Sequence, residues 1–294
     1  MPWLVLAANL GLTLLLWRAV HQQTVETARL EFTYEFEVFI NSLTGRIKAN
    51  EQILRSVVGL FEASDEVSRA EFRAFVTELH LDERYPGIQG IGFSQVIKPD
   101  ELKAHIKSIR AEGFPEYAVR PPGERDLYSS IVYLEPFDWR NQRAFGFDMW
   151  SEQMRRQAMT RARDSGKPAL SGKVTLTQET EQGVQAGTLL YVPIYRNSAE
   201  PWASSGRELI GWAFSPLRMK QLMTSILERD HPKLSRLMVV EVYDGQAADA
   251  SALLFASGDR AEVDPSGFSA IRTIVVSGQP WTVTAQALPG AGIK

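Results

Sequence analysis

Residues 84–97 read RYPGIQGIGFSQVI, a run in which Gly87, Gly90 and Gly92 are interleaved with large apolar residues. A phosphate-binding loop needs a strand before its glycines and a helix directly after them, because backbone N–H groups at the helix N-terminus hold the anion. Here a helix precedes the run, and no Lys-Ser or Lys-Thr pair closes it. The run therefore predicts a turn at residues 85–87 and then a strand through Ile97, with glycines that admit another backbone or a ligand closely.

The helix before this run is marked at its beginning. Ser68 can cap the helix, and Glu71, three residues later, completes a capping box. Val67 and Phe72 form the accompanying hydrophobic staple. The pattern predicts a helix that begins after Ser68 and ends before Pro86.

Farther along the chain, the apolar pattern changes between helical and strand periods. It predicts a helix after residue 98, strands within 117–121 and 127–137, a helix over 148–165, and three strands within 169–177, 187–195 and 208–215. These strands, the strand through Ile97 and the flanking helices favour an α+β unit over residues 63–216. A connecting helix and a smaller strand-rich unit are predicted over residues 217–294.

A long helix is predicted ahead of both units. Residues 29–61 contain no proline, and apolar residues recur at steps of three, four and seven. They are Phe36, Ile40, Leu43, Ile47, Leu54, Val57 and Phe61. Asn50 fills the skipped position, and a lone polar residue in such a seam typically fixes the register of paired helices. The stripe fits two interpretations equally well, a parallel homodimer through the stalk helix of residues 21–62 or a helix that packs on its own domain.

The N-terminal segment has the character of a membrane anchor. Residues 2–17, PWLVLAANLGLTLLLW, carry no charge, and Trp3 and Trp17 mark the ends as interfacial aromatics do. At ~1.5 Å per residue, extension through Val20 covers most of a ~30 Å hydrocarbon core. A cleaved signal peptide needs a basic start and a small-residue cleavage site. We therefore expect residues 1–20 to be an uncleaved transmembrane anchor in the cell inner membrane, with residues 21–294 extracytoplasmic (periplasmic).

The composition argues against several functional classes. A net charge of −3 gives no footprint for nucleic acid, and the absence of cysteine excludes disulfides and thiolate chemistry. The four histidines have no metal-site spacing, so we expect neither a metal nor a cofactor. Carboxylates such as Asp138 and Asp148 are not paired by any acid–base motif, and no serine lies in a nucleophile elbow. We expect no enzymatic activity in this region.

Five separated motifs resemble a known family. YPGIQGIGFS, EPFDWRNQRAFGFDMWSE, RARDSGKPALSGKVTL, QAGTLLYVPIY and GWAFSPLRM occur in the order seen in the CHASE domain, and the resemblance covers residues 30–220. That family is the extracellular sensory module of plant cytokinin receptors and of many bacterial membrane receptors. The resemblance implies a stalk helix followed by tandem PAS-like antiparallel-sheet subdomains that work as a dimer. It also implies a cytoplasmic output, either a histidine kinase or a diguanylate cyclase or phosphodiesterase.

The resemblance implies that the membrane-distal unit binds a small molecule. Ligand pockets are mostly apolar with a few convergent polar groups. The candidates are Asp148, Met149, Trp150, Arg155, Ser171, Val174, Leu176, Leu190 and Tyr191. The alternation of the apolar candidates also fits plain core packing.

Arg155 departs from the plant receptors, in which a carboxylate at the matching helical position hydrogen-bonds the adenine of cytokinin. Arginine offers only donors, so the resemblance predicts a different ligand here. Arg155 and Arg156 stand in a first helical turn, where Glu152 or solvent can compensate the charge or where an anion can lie between Arg155 and the helix N-terminus. The hypothesis is a small ligand with a carboxylate or another anionic group.

A different class of function also fits these features. The chain can be a membrane-anchored extracytoplasmic binding or scaffold protein without an output domain. A gene that continues past Lys294 into a second spanning helix and a signalling domain would favour the receptor over the binding or scaffold protein.

Overall fold

The computed structural model describes residues 2–178, 185–197, 207–264 and 267–290. One long helix precedes two antiparallel sheets, and further helices pack around the first sheet. The predicted α+β class with a long N-terminal stalk helix is confirmed. The domain boundaries stay a prediction, although the last strand of the first sheet runs to Arg218, two residues past the expected end at residue 216.

The long helix, α1, spans Pro2–Glu62 without a break. All eight positions of its apolar stripe, Asn50 included, are buried, with exposed fractions of 0–7%. The seven apolar residues of the stripe join one core with strand residues of both sheets, such as Val192 and Trp281. The stripe therefore packs on its own chain, and the interpretation of Asn50 and residues 36–61 as a dimer seam is wrong. A 3.5-residue repeat shows that one helical face is buried, but it does not show against what.

The first sheet contains six strands. The elements of this unit are α2 (Arg69–Glu78), α3 (Leu81–Arg84), β1 (Ile91–Ile97), α4 (Leu102–Ala111), β2 (Tyr128–Glu135), α5 (Gln153–Ser165), β3 (Ala169–Leu170), β4 (Val174–Thr175), β5 (Ala186–Asn197) and β6 (Arg207–Arg218). The strand order is β2-β1-β6-β5-β3, with β4 also paired to β5, and every pair is antiparallel. The capping box of α2 is present. A strand at 117–121 was expected and is not formed, because this segment contributes only an isolated bridge between Arg120 and Phe147.

The second sheet contains four strands. Its unit consists of α6 (Met219–Thr224), a π-helical turn (Ser225–Asp230), α7 (Leu234–Leu237), β7 (Met238–Asp244), β8 (Leu253–Ala256), β9 (Ser269–Val276) and β10 (Gln279–Ala287). The strand order is β8-β7-β10-β9. None of the helices in the described part of the chain is long and apolar enough to cross a membrane.

The glycines of the opening run admit close neighbours, as their pattern predicts. Gly87 has φ +95°, and a Cβ there would lie 2.6 Å from the Cα of Leu222 in α6. At Gly92 a Cβ would lie 2.4 Å from the ring of Phe214 on β6. The close neighbours at these two positions are the chain's own helix and strand.

Two cores lie on opposite faces of the first sheet. The larger, on the α1 side, continues into the second sheet. The smaller lies between the first sheet and α5, and we call it the α5-side core. Side chains of β5 alternate between them, with Leu190 in the first and Leu189 and Tyr191 in the second. This alternation is the period of two expected for a strand buried on both faces.

Candidate functional site

The inward face of α5 carries two alanines and one methionine, and the small alanines let the helix lie close to the first sheet. Ala158, Met159 and Ala162 are completely buried in the α5-side core. The indole Nε1 of Trp212 on β6 donates to the backbone oxygen of Met159 at 3.1 Å, which ties the sheet to the helix. The sheet and α5 thus form the two walls of the candidate site.

The chain enters α5 through two side-chain caps. Asp148 caps a short 3₁₀ turn, Met149–Ser151, by accepting from the N–H of Trp150 at 3.0 Å. Glu152 caps α5 itself by accepting from the N–H groups of Met154 and Arg155, both at 3.0 Å. The N-terminus of α5 is therefore closed by a carboxylate of the chain, so it is not an open anion site.

Asp148 is completely buried, which is unusual for a carboxylate. Its Oδ1 accepts from the N–H of Ser129 at 2.8 Å, and its Oδ2 lies 3.4 Å from Nη1 of Arg125. Burial raises the pKa of Asp148, and the hydrogen bond from Ser129 and the charge of Arg125 oppose that shift. The arrangement fixes the loop before α5 to the edge of β2.

Arg155 is also buried, with 5% of the residue exposed. Its Nη2 donates to the backbone oxygen of Thr175 at 2.9 Å, and its guanidinium carbon lies 5.1 Å from the ring centroid of Phe147. The carboxylate of Glu152 lies 3.5 Å from Nη1, which is long for a charge-assisted hydrogen bond. The sequence allows two interpretations, and in one of them Glu152 compensates the charge of Arg155. Glu152 does lie beside Arg155, but the contact between the two charges is long.

Aromatic and sulphur groups fill the space between the walls. Trp150 stacks on Trp212 with ring centroids 5.6 Å apart. The hydroxyl of Tyr191 donates to the thioether of Met149 at 3.3 Å, and burial raises the pKa of Tyr191. A thioether is a weak acceptor, so this completely buried phenol is poorly satisfied.

The structure separates the predicted residues into three groups. Asp148, Met149, Trp150, Arg155, Val174, Leu176 and Tyr191 gather around the α5-side core. Ser171 lies at the sheet edge, where its hydroxyl accepts from the N–H of Leu189 at 2.9 Å. Leu190 lies in the core on the α1 side, so its assignment to the same pocket is corrected. Successive side chains of a strand point to opposite faces of the sheet, so Leu190 points away from its neighbour Tyr191.

Open grooves lie elsewhere on the described surface. One of about 990 Å³ is lined by residues of the Gly87 turn, by residues of α6 and by charged residues that include Arg140, Arg229 and Glu228. Another of about 340 Å³ lies beside α4. The nine candidates line neither groove, and Met149 and Trp150 occupy the space between the walls.

Sequence reasoning missed two residues of this site. Ser94 on β1 and Ser129 on β2 are completely buried, and their hydroxyls have no hydrogen-bond partner among the described residues. The strands IGFSQVI and YSSIVYLE carry these serines within otherwise apolar inward positions. Assigning each strand residue to a face would have revealed them.

One comparison with known protein families agrees with the motifs. A family model described as the CHASE domain matches residues 65–255. The periplasmic sensory domain of the Campylobacter jejuni chemoreceptor Tlp1 is 10% identical, with a TM-score of 0.48 over 92% of this chain and 95% of that one. Methyl-accepting chemotaxis protein X is 14% identical, with a TM-score of 0.47 over 91% of this chain and 98% of that one. No curated protein matches the chain.

The family match spans well over half of the sequence, and the chain belongs to the CHASE domain family. CHASE domains are sensory and not catalytic. The chain is accordingly an extracytoplasmic sensor region of a membrane receptor.

Proposed function

We propose that this region binds a small molecule between the first sheet and α5 and passes the signal to a cytoplasmic output domain. The observation that carries the proposal is Arg155, a buried cation whose carboxylate partner, Glu152, is only loosely placed. A buried charge is costly unless it is closely paired. A ligand that completes the pairing would be bound and would draw α5 and the sheet together.

The ligand in this proposal is a small organic anion. A carboxylate matches the fork of N–H donors on a guanidinium, and a buried site strengthens the bond. Glu152 already closes the helix end, so the ligand would compete with Glu152 at the Arg155 side chain. The predicted site residues other than Leu190 remain its proposed surroundings, and the membrane-distal unit of residues 63–216 remains the proposed sensor, with residues 217–294 next to the membrane.

The proposal includes attachment to the inner membrane through residues 1–20. Near its N-terminus α1 exposes apolar side chains on several sides, among them Leu10, Leu15 and Trp17, each more than 60% exposed. A helix that is apolar all round favours a lipid environment. Carbonate extraction of cell membranes tests this attachment. This part of the proposal fails if the extraction releases the chain as a soluble protein.

A homodimer through the stalk is the third part of the proposal. Because the apolar stripe is occupied by its own chain, the contact would use the outward face of α1. Tyr34, Asn41, Lys48 and Arg55 recur on that face at seven-residue spacing, and all four are exposed. Such spacing keeps one face toward a partner helix along the whole stalk.

A thermal-shift screen of the 294-residue chain in mild detergent tests ligand binding. We expect at least one small carboxylic acid or amino acid to raise the melting temperature, since a ligand that binds only the folded state stabilises it. Hydrogen exchange would then show protection in α5 and β4. Protection confined to the groove beside α4 would place the ligand elsewhere and contradict the proposed site.

A further inference from the structure

Two serine hydroxyls of the α5-side core are left without partners. Ser94 and Ser129 are each 0% exposed, and neither Oγ makes a hydrogen bond with a described residue. Buried hydroxyls nearly always find a partner, so each exception requires an explanation. By contrast, Ser171 in the same unit is equally buried but both donates to the oxygen of Gly172 and accepts from the N–H of Leu189.

Both hydroxyls belong to the face that α5 covers. Ser94 lies opposite Trp212 of β6, a member of the α5-side core, and follows Phe93, which lies in the other core. Ser129 lies two residues before Ile131, which also belongs to the α5-side core. The pairing of β1 and β2 places Ser94 opposite Ile131, so the two serines are diagonal neighbours.

Diagonal neighbours on adjacent strands are about 7–8 Å apart, so the two hydroxyls cannot bond each other directly. An alanine at either position would fit the strand and would bury no unpaired group. A buried polar group without a partner requires an explanation, and a ligand pocket places a few such groups among apolar ones, where the ligand supplies their partner.

We propose that Ser94 and Ser129 are ligand contacts that select for a hydroxyl or a similar hydrogen-bonding group on the ligand. This inference rests on the proposed ligand site between the first sheet and α5. Together with Arg155, it makes the ligand a small hydroxy acid or a compound of the same chemistry. Met149 and Trp150, which fill the space above the sheet, move aside when the ligand enters, and an unbranched methionine adapts readily to such a change.

Thermal unfolding of alanine variants tests the first half of the inference without any ligand. In the 294-residue chain in detergent, Ser94→Ala and Ser129→Ala are expected to melt at the wild-type temperature or above it. Ser171→Ala is the matched control, and because it leaves the N–H of Leu189 unpaired, its melting temperature should fall by about 2–4 °C. If Ser94→Ala and Ser129→Ala fall as far as the control, the hydroxyls are structural and the inference is wrong.

Malate and succinate, which differ by one hydroxyl, test the selectivity. Wild type is expected to bind malate about 5- to 10-fold more tightly than succinate, and each alanine variant is expected to lose that preference. A malate preference that persists in both variants overturns the inference. If neither acid stabilises the wild type, the assignment of a hydroxy acid as the ligand fails. The wider screen then still tests the anion site, and the melting comparison still decides whether the hydroxyls are structural.

Discussion

The backbone N–H of Lys173, between β3 and β4, donates to Oδ2 of Asp244 at the end of β7, at 2.8 Å. The other carboxylate oxygen of Asp244 accepts from Nε2 of Gln279 at 2.7 Å. Gln279 in turn accepts from Arg161 of α5 at 3.2 Å. This network joins both walls of the candidate site to the second sheet. A ligand that moves α5 relative to β3 and β4 would therefore change the lengths of these hydrogen bonds.

Replacing Asp244 should therefore destabilise the fold. Asp244→Ala leaves the N–H of Lys173 and the amide of Gln279 without their acceptor, at an expected cost of about 1–3 kcal/mol in the free energy of unfolding. Urea unfolding measures the change, with the exposed Asp100→Ala as the control that should stay within about 0.5 kcal/mol of wild type. Equal effects of the two substitutions would show that the network does not stabilise the contact between the candidate site and the second sheet.

Asn50 offers a test of how α1 is packed. Both polar atoms of its amide are buried without a described partner, and the residue is 1% exposed. Leucine has nearly the same shape, so Asn50→Leu should raise the free energy of unfolding by about 1–2 kcal/mol. The exposed Asn41→Leu is the control and should be close to neutral. A destabilised Asn50→Leu would mean that the amide is satisfied in solution.

His105 gives the fold a pH dependence. The imidazole Nε2 lies 2.8 Å from the hydroxyl of Tyr117, which also contacts the hydroxyl of Ser130. Burial lowers the pKa of His105 to about 4, against a small opposing effect of Glu112. The unfolded state therefore binds the proton more readily than the folded state. The contribution of neutral His105 to the free energy of unfolding is fully present above pH 6.5. It is lost as the pH falls toward the folded pKa, by roughly 3 kcal/mol near pH 4.

The matched variant for this dependence is His105→Gln, which keeps a polar side chain but cannot titrate. Denaturant unfolding at pH 7 and pH 4.5 should show a smaller loss for His105→Gln than for wild type. Carboxylates elsewhere titrate in the same range in both proteins, so only the difference between the two reports on His105. Parallel losses would contradict a neutral, buried imidazole.

Disulfide cross-linking tests the stalk dimer, since the chain has no cysteine of its own. Asn41→Cys, on the outward face of α1, should give a covalent dimer on mild oxidation in membranes. Asp100→Cys, at an exposed position outside α1, should remain monomeric on the same gel. If both variants cross-link equally, or neither does, the dimer does not form through this face.

The local elements could be predicted from the sequence, and their partners could not. The capping box at Ser68 and the glycines at 87 and 92 identify a helix and a strand because their causes lie within a few residues. The stripe of α1 was recognised, but its burial against the chain's own sheets depends on contacts far apart in sequence. Leu190 was assigned to the wrong face because a strand's two faces differ by a single residue.

Only part of the candidate site could be predicted from the sequence. Arg155 and its neighbours came from the resemblance and gather as expected, whereas Ser94 and Ser129 were overlooked because serines carry no motif. Whether a buried hydroxyl has a partner depends on the neighbouring strands and on α5, which no local pattern describes.

Isothermal titration of wild type and Arg155→Glu is the most direct test of the proposed anion site. Wild type should bind a small carboxylic acid such as malate and should not bind an adenine-type cytokinin at micromolar concentration, because Arg155 offers only donors to the purine N–H groups. Arg155→Glu should bind the acid at least about 10-fold more weakly, since it replaces the attracting charge with a repelling one. Equal affinity of both proteins for the acid, or micromolar cytokinin binding by wild type, would contradict the account.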